Sequence, residues 1–455
     1  MMNRNTEQLE HEHIGRLLWN YSLPAIIAST ASSLYNIIDR VFIGHGVGPL
    51  AISGLALTMP IMNLATALGT LVGAGASATI SIRMGEQRRE EAVHILGNAL
   101  ILNLIISVLF SVLSLVFLDE ILLLFGASER TLPYARDFMR VILAGNVVTH
   151  IFFGLNSIMR ASGYPVKAMI SILLTVTVNV ILAPIFIFSL HLGISGAAMA
   201  TVISQTVGMI WVVAHFCSRK SFIRFEKGCF KLSGKIISDT FAVGLAPFIV
   251  HVFACLIAVI VNWLLKYYGG DLAVGAFSIV NSVAALVIMI IFGFTQGMQP
   301  IVGYNYGAGQ YQRVHQTLRL TVVCGTVVGT LGCLASLLFP EAIANAFTNG
   351  ADELTQLTVD GLRIFMLAYP VVGFQIVVSQ YFQAMGKARL AILLSLTRQV
   401  FCLIPMLFLG AYLFQLPGIW AAEPVADFMA AIITAFVLYR FNKKHFSSLI
   451  KNVNE

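Results

Sequence analysis

Four charged side chains lie inside or at the edge of long apolar stretches of this 455-residue chain: Asp39, Arg398, Glu423 and Asp427. If those stretches cross a membrane, each charge costs on the order of 2.5 to 3.5 kcal/mol at the helix centre on insertion scales, so each is a candidate for function. Asp39 sits in YNIIDRVFIG near the outer end of its stretch, with Asn36 three and Tyr35 four residues before it. On a helix the three share a face, a polar stripe that suits a bound cation or a held proton. The alternative is an interfacial Asp paired with Arg40, but adjacent helical residues point about 100° apart, which favours the functional reading. Glu423 and Asp427 in WAAEPVADF again lie one turn apart, and two like charges on one stripe suit a shared proton or a bound cation. Arg398 is the cation deep enough to neutralise them. A permanent Arg398 lock and a site for a proton or a cationic substrate both fit that trio.

Neutral polar residues form a second set. Asn179 in TVNVILAPIFIF has Ala183 one turn on, and GISGAAMATVISQ puts Thr201 and Gln205 on one face. Their oxygens suit a hard cation such as Na⁺, and they equally suit hydrogen bonding between helices. Gln296, Gln299 and Asn305 flank Pro300 in FGFTQGMQPIVGYNYGAGQ and are candidates to line a polar cavity. The six cysteines have no CxxC spacing and read as packing residues, so no metal site is expected. His11 and His13 fall in a polar tail and read as solvated. The glycines of GTLVGAG (Gly69, Gly73, Gly75), with Gly325, Gly329 and Gly332, read as places of close helix packing.

The elements that must position these residues follow from composition. Only 11% of residues are charged and 58% are apolar, with a mean hydropathy of +0.85, whereas soluble domains carry about 25% charged residues. A soluble fold is excluded. Windows of about 20 apolar residues mark membrane helices, and twelve are found: 17 to 38, 50 to 80, 95 to 117, 138 to 158, 168 to 189, 193 to 216, 237 to 265, 272 to 300, 318 to 339, 362 to 382, 390 to 413 and 417 to 438. The runs are too long and continuous for barrel strands. The polar first 13 residues lead into a span too long for a cleavable leader, so none is expected.

Twelve spans place both termini on one side. Of the 28 Lys and Arg residues, 21 fall on that side, six of them in the central loop, so the termini are expected in the cytoplasm. The net charge of +7 thus reports orientation, with contact to anionic lipid, and no nucleic-acid partner is implied.

The chain also repeats itself at an offset of 222 to 224 residues. Pro24 falls on Pro247, Gly75 on Gly297, Gly85 on Gly307, Ala161 and Gly163 on Ala384 and Gly386, and Ala197 and Ala198 on Ala421 and Ala422. The expected fold is therefore an all-α polytopic membrane protein. Its twelve transmembrane helices form two six-helix lobes related by a pseudo-twofold axis along the membrane normal. A cytoplasmic tail (1 to 16) precedes an amino-terminal lobe (17 to 216), a basic linker (217 to 236), a carboxy-terminal lobe (237 to 440) and a second tail (441 to 455). No GxxxxGK[ST] sequence occurs to bind ATP phosphates.

LPAIIASTASSLYNIIDRVFIGHGVGPLAISGLALTMPIM, NSIMRASGYP, GISGAAMATVISQ, TQGMQPIVGYNYGA and GIWAAEPVADF together resemble the multidrug and toxic compound extrusion (MATE) transporters, particularly their MepA-like branch, from about residue 14 to 441. The resemblance implies export of cationic or amphipathic compounds in exchange for H⁺ or Na⁺ by alternating access, with no enzymatic activity and no cofactor beyond the coupling ion. It places the family's ion-coupling residues on Asp39, Asn179 and Thr201, with Asn36 beside them. Where many relatives read N-x-x-L-D-P, this chain has Ala183 before Pro184. One carboxylate fewer weakens a Na⁺ site, so proton coupling at Asp39 is expected.

The partners expected are small cationic or amphipathic molecules and membrane lipid. The chain is expected to act as a monomer in a bacterial inner membrane. Two rivals are weighed. A lipid-linked oligosaccharide flippase of the same superfamily would need a cationic cavity, and only Arg398 lies at depth. A membrane-embedded enzyme acting on prenyl diphosphates would need an Asp-rich metal motif, and the nearest acidic pair, Asp352 and Glu353, stands alone.

Overall fold

A computed structural model describes residues 4–219, 221–348 and 352–453, and among them there is no strand. Among the described residues, ten helices are long and apolar enough to cross a membrane, including Leu50–Gly85, Arg89–Val116, Leu132–Ala161, Pro165–Ser189, Gly193–Cys217, Gly234–Gly270, Leu272–Gly307, Tyr311–Leu338 and Glu353–Ala384. The tenth, Ala388–Lys444, contains two passes, because its backbone turns at Gln415, whose φ is 53°. With the helix Ile14–Gly46 the expected twelve spans are present. The seventh and eighth spans part at Gly270, whose φ of 70° favours glycine.

Several boundaries differ from the sequence reading. The first span runs to Gly46, so Asp39 lies well inside it rather than near its end. The tail read as solvated contains a helix, Arg4–His11. Leu9 of that helix is fully buried, because the hydroxyl of Tyr304 donates to Glu10 (3.1 Å) and the amide of Asn305 to the Leu9 carbonyl (3.0 Å). Two short helices, Leu118–Leu124 and Pro340–Thr348, had no counterpart in the twelve windows.

The described chain divides into two compact units. The first comprises 1–12, 23–251 and 303–309, and the second 13–22, 252–302 and 310–455. In the first, Gly73 packs on Gly154, Gly75 on the Thr240 carbonyl and Gly244 on the Leu71 carbonyl. Gly85 faces the Tyr304 carbonyl while Gly307 faces the Ile82 carbonyl, a reciprocal pair at the 222-residue offset. In the second unit Gly297 meets Ser22, and Gly329 meets the Tyr369 carbonyl. Small residues at these crossings let helix backbones touch where the membrane supplies little hydrophobic drive between helices. A Cβ on Gly244 would overlap the Leu71 carbonyl, and backbone yields poorly. Gly244→Ala is therefore expected to destabilise by about 1 to 3 kcal/mol, read as a lower melting temperature in detergent against Gly234→Ala, where a Cβ meets open space.

The basic linker is tied down rather than loose. Arg89 reaches Glu226 (2.5 Å) and the Phe222 carbonyl (2.9 Å), and this guanidinium holds the Glu226 carboxyl below the usual carboxylate range. Asn98 donates to the Lys231 carbonyl and accepts from the Ser233 N–H, each at 2.9 Å. The Phe225 ring stacks on Phe230 and meets Phe216 at a tilt, with centroids 5.6 and 5.9 Å apart.

Candidate functional site

In the first unit, three spans converge on one polar cluster. Tyr35 of the first span meets the Thr201 hydroxyl of the sixth at 2.9 Å. Asn179 of the fifth donates to Thr201 (3.2 Å) and to the Tyr35 hydroxyl (3.5 Å). Thr201 is itself tethered to the Ala197 carbonyl one turn earlier, at 3.1 Å. The fifth span can place Asn179 here because Pro184 lacks an N–H and the helix widens into a π-type turn over Ile185–Ser189 just beyond it.

Asp39 lies one helical turn past Tyr35. It is 8% exposed, and its Oδ1 has no hydrogen-bond partner among the described residues. A buried carboxylate oxygen left unpaired is costly, so the site is poised to take a proton or a cation. The side chain of Asn36, expected on the same stripe, lies outside the described residues. Ala183, where relatives often carry Asp, is fully buried in an apolar cluster with Ile43, Ile187 and Ala197. Asp39 is thus the carboxylate that the first span brings to this region.

The second unit holds the other predicted trio. Arg398 rides on a π-type turn, Thr397–Leu403, and donates from Nε to Asp427 Oδ1 (2.6 Å) and from Nη2 to Oδ2 (3.5 Å). Its Nη2 stands 3.8 Å from Glu423. The side chain of Asp427 is 4% exposed and that of Glu423 24%. Asp427 is therefore committed to Arg398 by paired hydrogen bonds, while Glu423 is the weakly held and more accessible member. Two carboxylates against one guanidinium leave the trio with a formal surplus of one negative charge.

Gln296 and Gln299 are half-buried. Asn305 corrects the sequence reading: it is fully buried, and its amide holds the Leu9 carbonyl, so it anchors the amino-terminal helix instead of lining a cavity. Sequence reasoning passed over His150 of the fourth span, which is 3% exposed with neither ring nitrogen hydrogen-bonded among the described residues. The available signal was a lone imidazole in an apolar run. It also left open the partner of Gln205, whose amide oxygen accepts from Thr149.

Known proteins match this architecture. The MatE family model matches residues 24–185 and 247–409, two stretches whose starts are 223 residues apart, the spacing of the internal repeat. Multidrug export protein MepA of Staphylococcus haemolyticus is 27% identical over 435 residues, covering 96% of this chain and 95% of its own. Its Staphylococcus aureus (strain MSSA476) counterpart is 24% identical over 439 residues, with 96% of each chain covered. Among solved structures, a ligand complex of MATE multidrug transporter DinF-BH is 35% identical, with a TM-score of 0.90 over 97% of this chain and 99% of that one. A MATE in the bent conformation superposes with a TM-score of 0.92 at 23% identity, covering both chains completely. Twelve spans, a repeat that the family model meets twice, and relatives matched nearly end to end make this chain a member of the MATE family.

Proposed function

We propose that this chain is a multidrug efflux antiporter. It exports cationic or amphipathic organic compounds from a bacterial cytoplasm in exchange for protons moving inward, with both termini cytoplasmic. The family, the two multidrug export relatives and the ligand-bound multidrug transporter support the substrate class. The observation that carries the coupling is Asp39, buried, with one carboxylate oxygen unpaired among the described residues and a neutral Tyr35–Thr201–Asn179 network on its own unit.

Protonation works as a switch because neutralising a buried carboxylate removes both its desolvation cost and its attraction for a cation, which changes the preferred conformation. Pro24 inside the first span supplies a place to bend. A Na⁺ site is the weaker reading, since the hydroxyls of Tyr35 and Thr201 already engage one another and the Asn179 N–H donors, and Ala183 supplies no second carboxylate. In the second unit Glu423, the surplus charge, receives the cationic compound or a relayed proton, and Arg398 with Asp427 holds it in place. The half-buried Gln296 and Gln299 offer amide groups to line the compound's cavity. The transporter works as a monomer and needs no cofactor.

The flippase reading requires a free cation for a pyrophosphate, and Arg398 is engaged by Asp427. The experiment is proton release from proteoliposomes on addition of a lipophilic cation. Substrate-stimulated release is expected; transport of the cation with no proton movement would overturn the antiport reading.

A further inference from the structure

We propose that a cavity at the linker-side ends of the second, third and seventh spans is a binding site for the headgroup of a zwitterionic phospholipid, a phosphate diester carrying a primary ammonium. The cavity holds about 420 Å³ and is lined by the last turns of Leu50–Gly85, the first turns of Arg89–Val116, linker residues and the first turns of Gly234–Gly270. That volume falls in the range of about 300 to 1,000 Å³ typical of small-molecule sites. Its place at the ends of three membrane spans is the depth at which lipid headgroups lie.

The charges in the wall are not all spent on one another. Arg83 is occupied by Glu86 (2.6 Å) and Glu91 (3.1 Å). Lys231, Lys235 and Asp239 also line the cavity, and none of the three makes a salt bridge among the described residues. Lys235 and Asp239 are one helical turn apart without an ion pair between them, and Asp239 lies within electrostatic reach of Arg83 without a salt bridge to it. Two available ammonium groups suit a phosphate, and the remaining carboxylate suits an ammonium, so the wall complements a zwitterion better than a plain anion. The exposed Leu232, next to Lys231, offers an apolar edge for the glycerol and upper acyl carbons.

The linker backbone that carries Lys231 is held in place. Asn98 pins the Lys231 carbonyl and the Ser233 N–H, so the linker is presented to the cavity in a fixed course. One residue beyond Asp239, the Thr240 carbonyl packs on Gly75 of the second span. A bound headgroup therefore bridges the linker and seventh span to the second and third spans at their closest approach.

The test is a titration of the full-length purified protein by native mass spectrometry with dioctanoyl phosphatidylethanolamine, dioctanoyl phosphatidylglycerol and soluble phosphoethanolamine. The wild type is expected to bind the ethanolamine lipid most tightly. Exposed ion pairs are individually weak, so the Lys231→Ala/Lys235→Ala double variant is expected to bind it about fivefold more weakly. Asp239→Asn is expected to erase the preference over the glycerol lipid while retaining binding. Equal affinity for the two lipids in the wild type, or unchanged affinity in the double variant, overturns the site. Binding of soluble phosphoethanolamine as tight as that of the lipid overturns the assignment to a membrane lipid. Melting temperatures of the lipid-free variants, expected to match the wild type, separate lost binding from lost folding. The result stands apart from the export activity, which this titration does not read.

Discussion

Efflux driven by a pH gradient is expected to fall to background in the Asp39→Asn variant, a loss of roughly 5- to 150-fold if the whole proton–substrate coupling is removed. The asparagine is close in shape to a protonated carboxyl, so the buried site keeps its packing while the charge can no longer appear and disappear. A ligand shifts a conformational equilibrium only by its differential affinity for the two states. A group that cannot lose its proton gives protons no such leverage. Because Oδ1 of Asp39 has no hydrogen-bond partner among the described residues, folding is expected to be near wild type. Asp39→Glu, which retains the charge on a longer arm, is expected to recover part of the efflux. A dye-efflux assay in everted vesicles, with protein amount matched by blotting, reads both variants. Wild-type efflux in Asp39→Asn would remove this residue from the mechanism.

The largest stability effect is expected at Arg398. Replacing it with Ala leaves Asp427, at 4% exposure, without the guanidinium that holds both its oxygens. Breaking a buried pair by removing one partner costs about 3 to 5 kcal/mol. The melting temperature of Arg398→Ala in detergent should fall accordingly. The double variant Arg398→Ala/Asp427→Ala should recover part of the loss, since the deeply buried carboxylate is gone and only the more accessible Glu423 is left without its cation. Glu423→Gln, by contrast, touches a weaker contact of 3.8 Å. It is expected to alter transport of cations with little change in melting temperature. Equal destabilisation by all three would show that the trio acts as a structural lock alone.

The spans and their repeat were legible because a membrane forces long apolar runs and close glycine contacts, which a sequence displays directly. Asp39, Asn179 and Thr201 were legible individually. The grouping of Asn179 and Thr201 with Tyr35 was not, because Tyr35 meets Thr201 across 166 residues of chain. The division of labour between Glu423 and Asp427 was also hidden: both lie one turn apart on the same helix, and only the position of Arg398 on its π-type turn decides which one it takes. Asn305 misled for the same reason. An amide in a membrane segment reads as cavity lining until its partner, the Leu9 carbonyl 296 residues away, is seen. The amino-terminal helix escaped notice because its polar sequence carries no membrane signal, although Leu9 buries fully.

Whether protons or sodium ions drive export through Asp39 is decided by reconstituting the wild-type protein and imposing one gradient at a time. A pH gradient alone is expected to drive transport of a fluorescent lipophilic cation, and a Na⁺ gradient alone at matched pH is expected to leave it at the protein-free rate. Transport driven by the Na⁺ gradient, with none under the pH gradient, would rule out proton coupling.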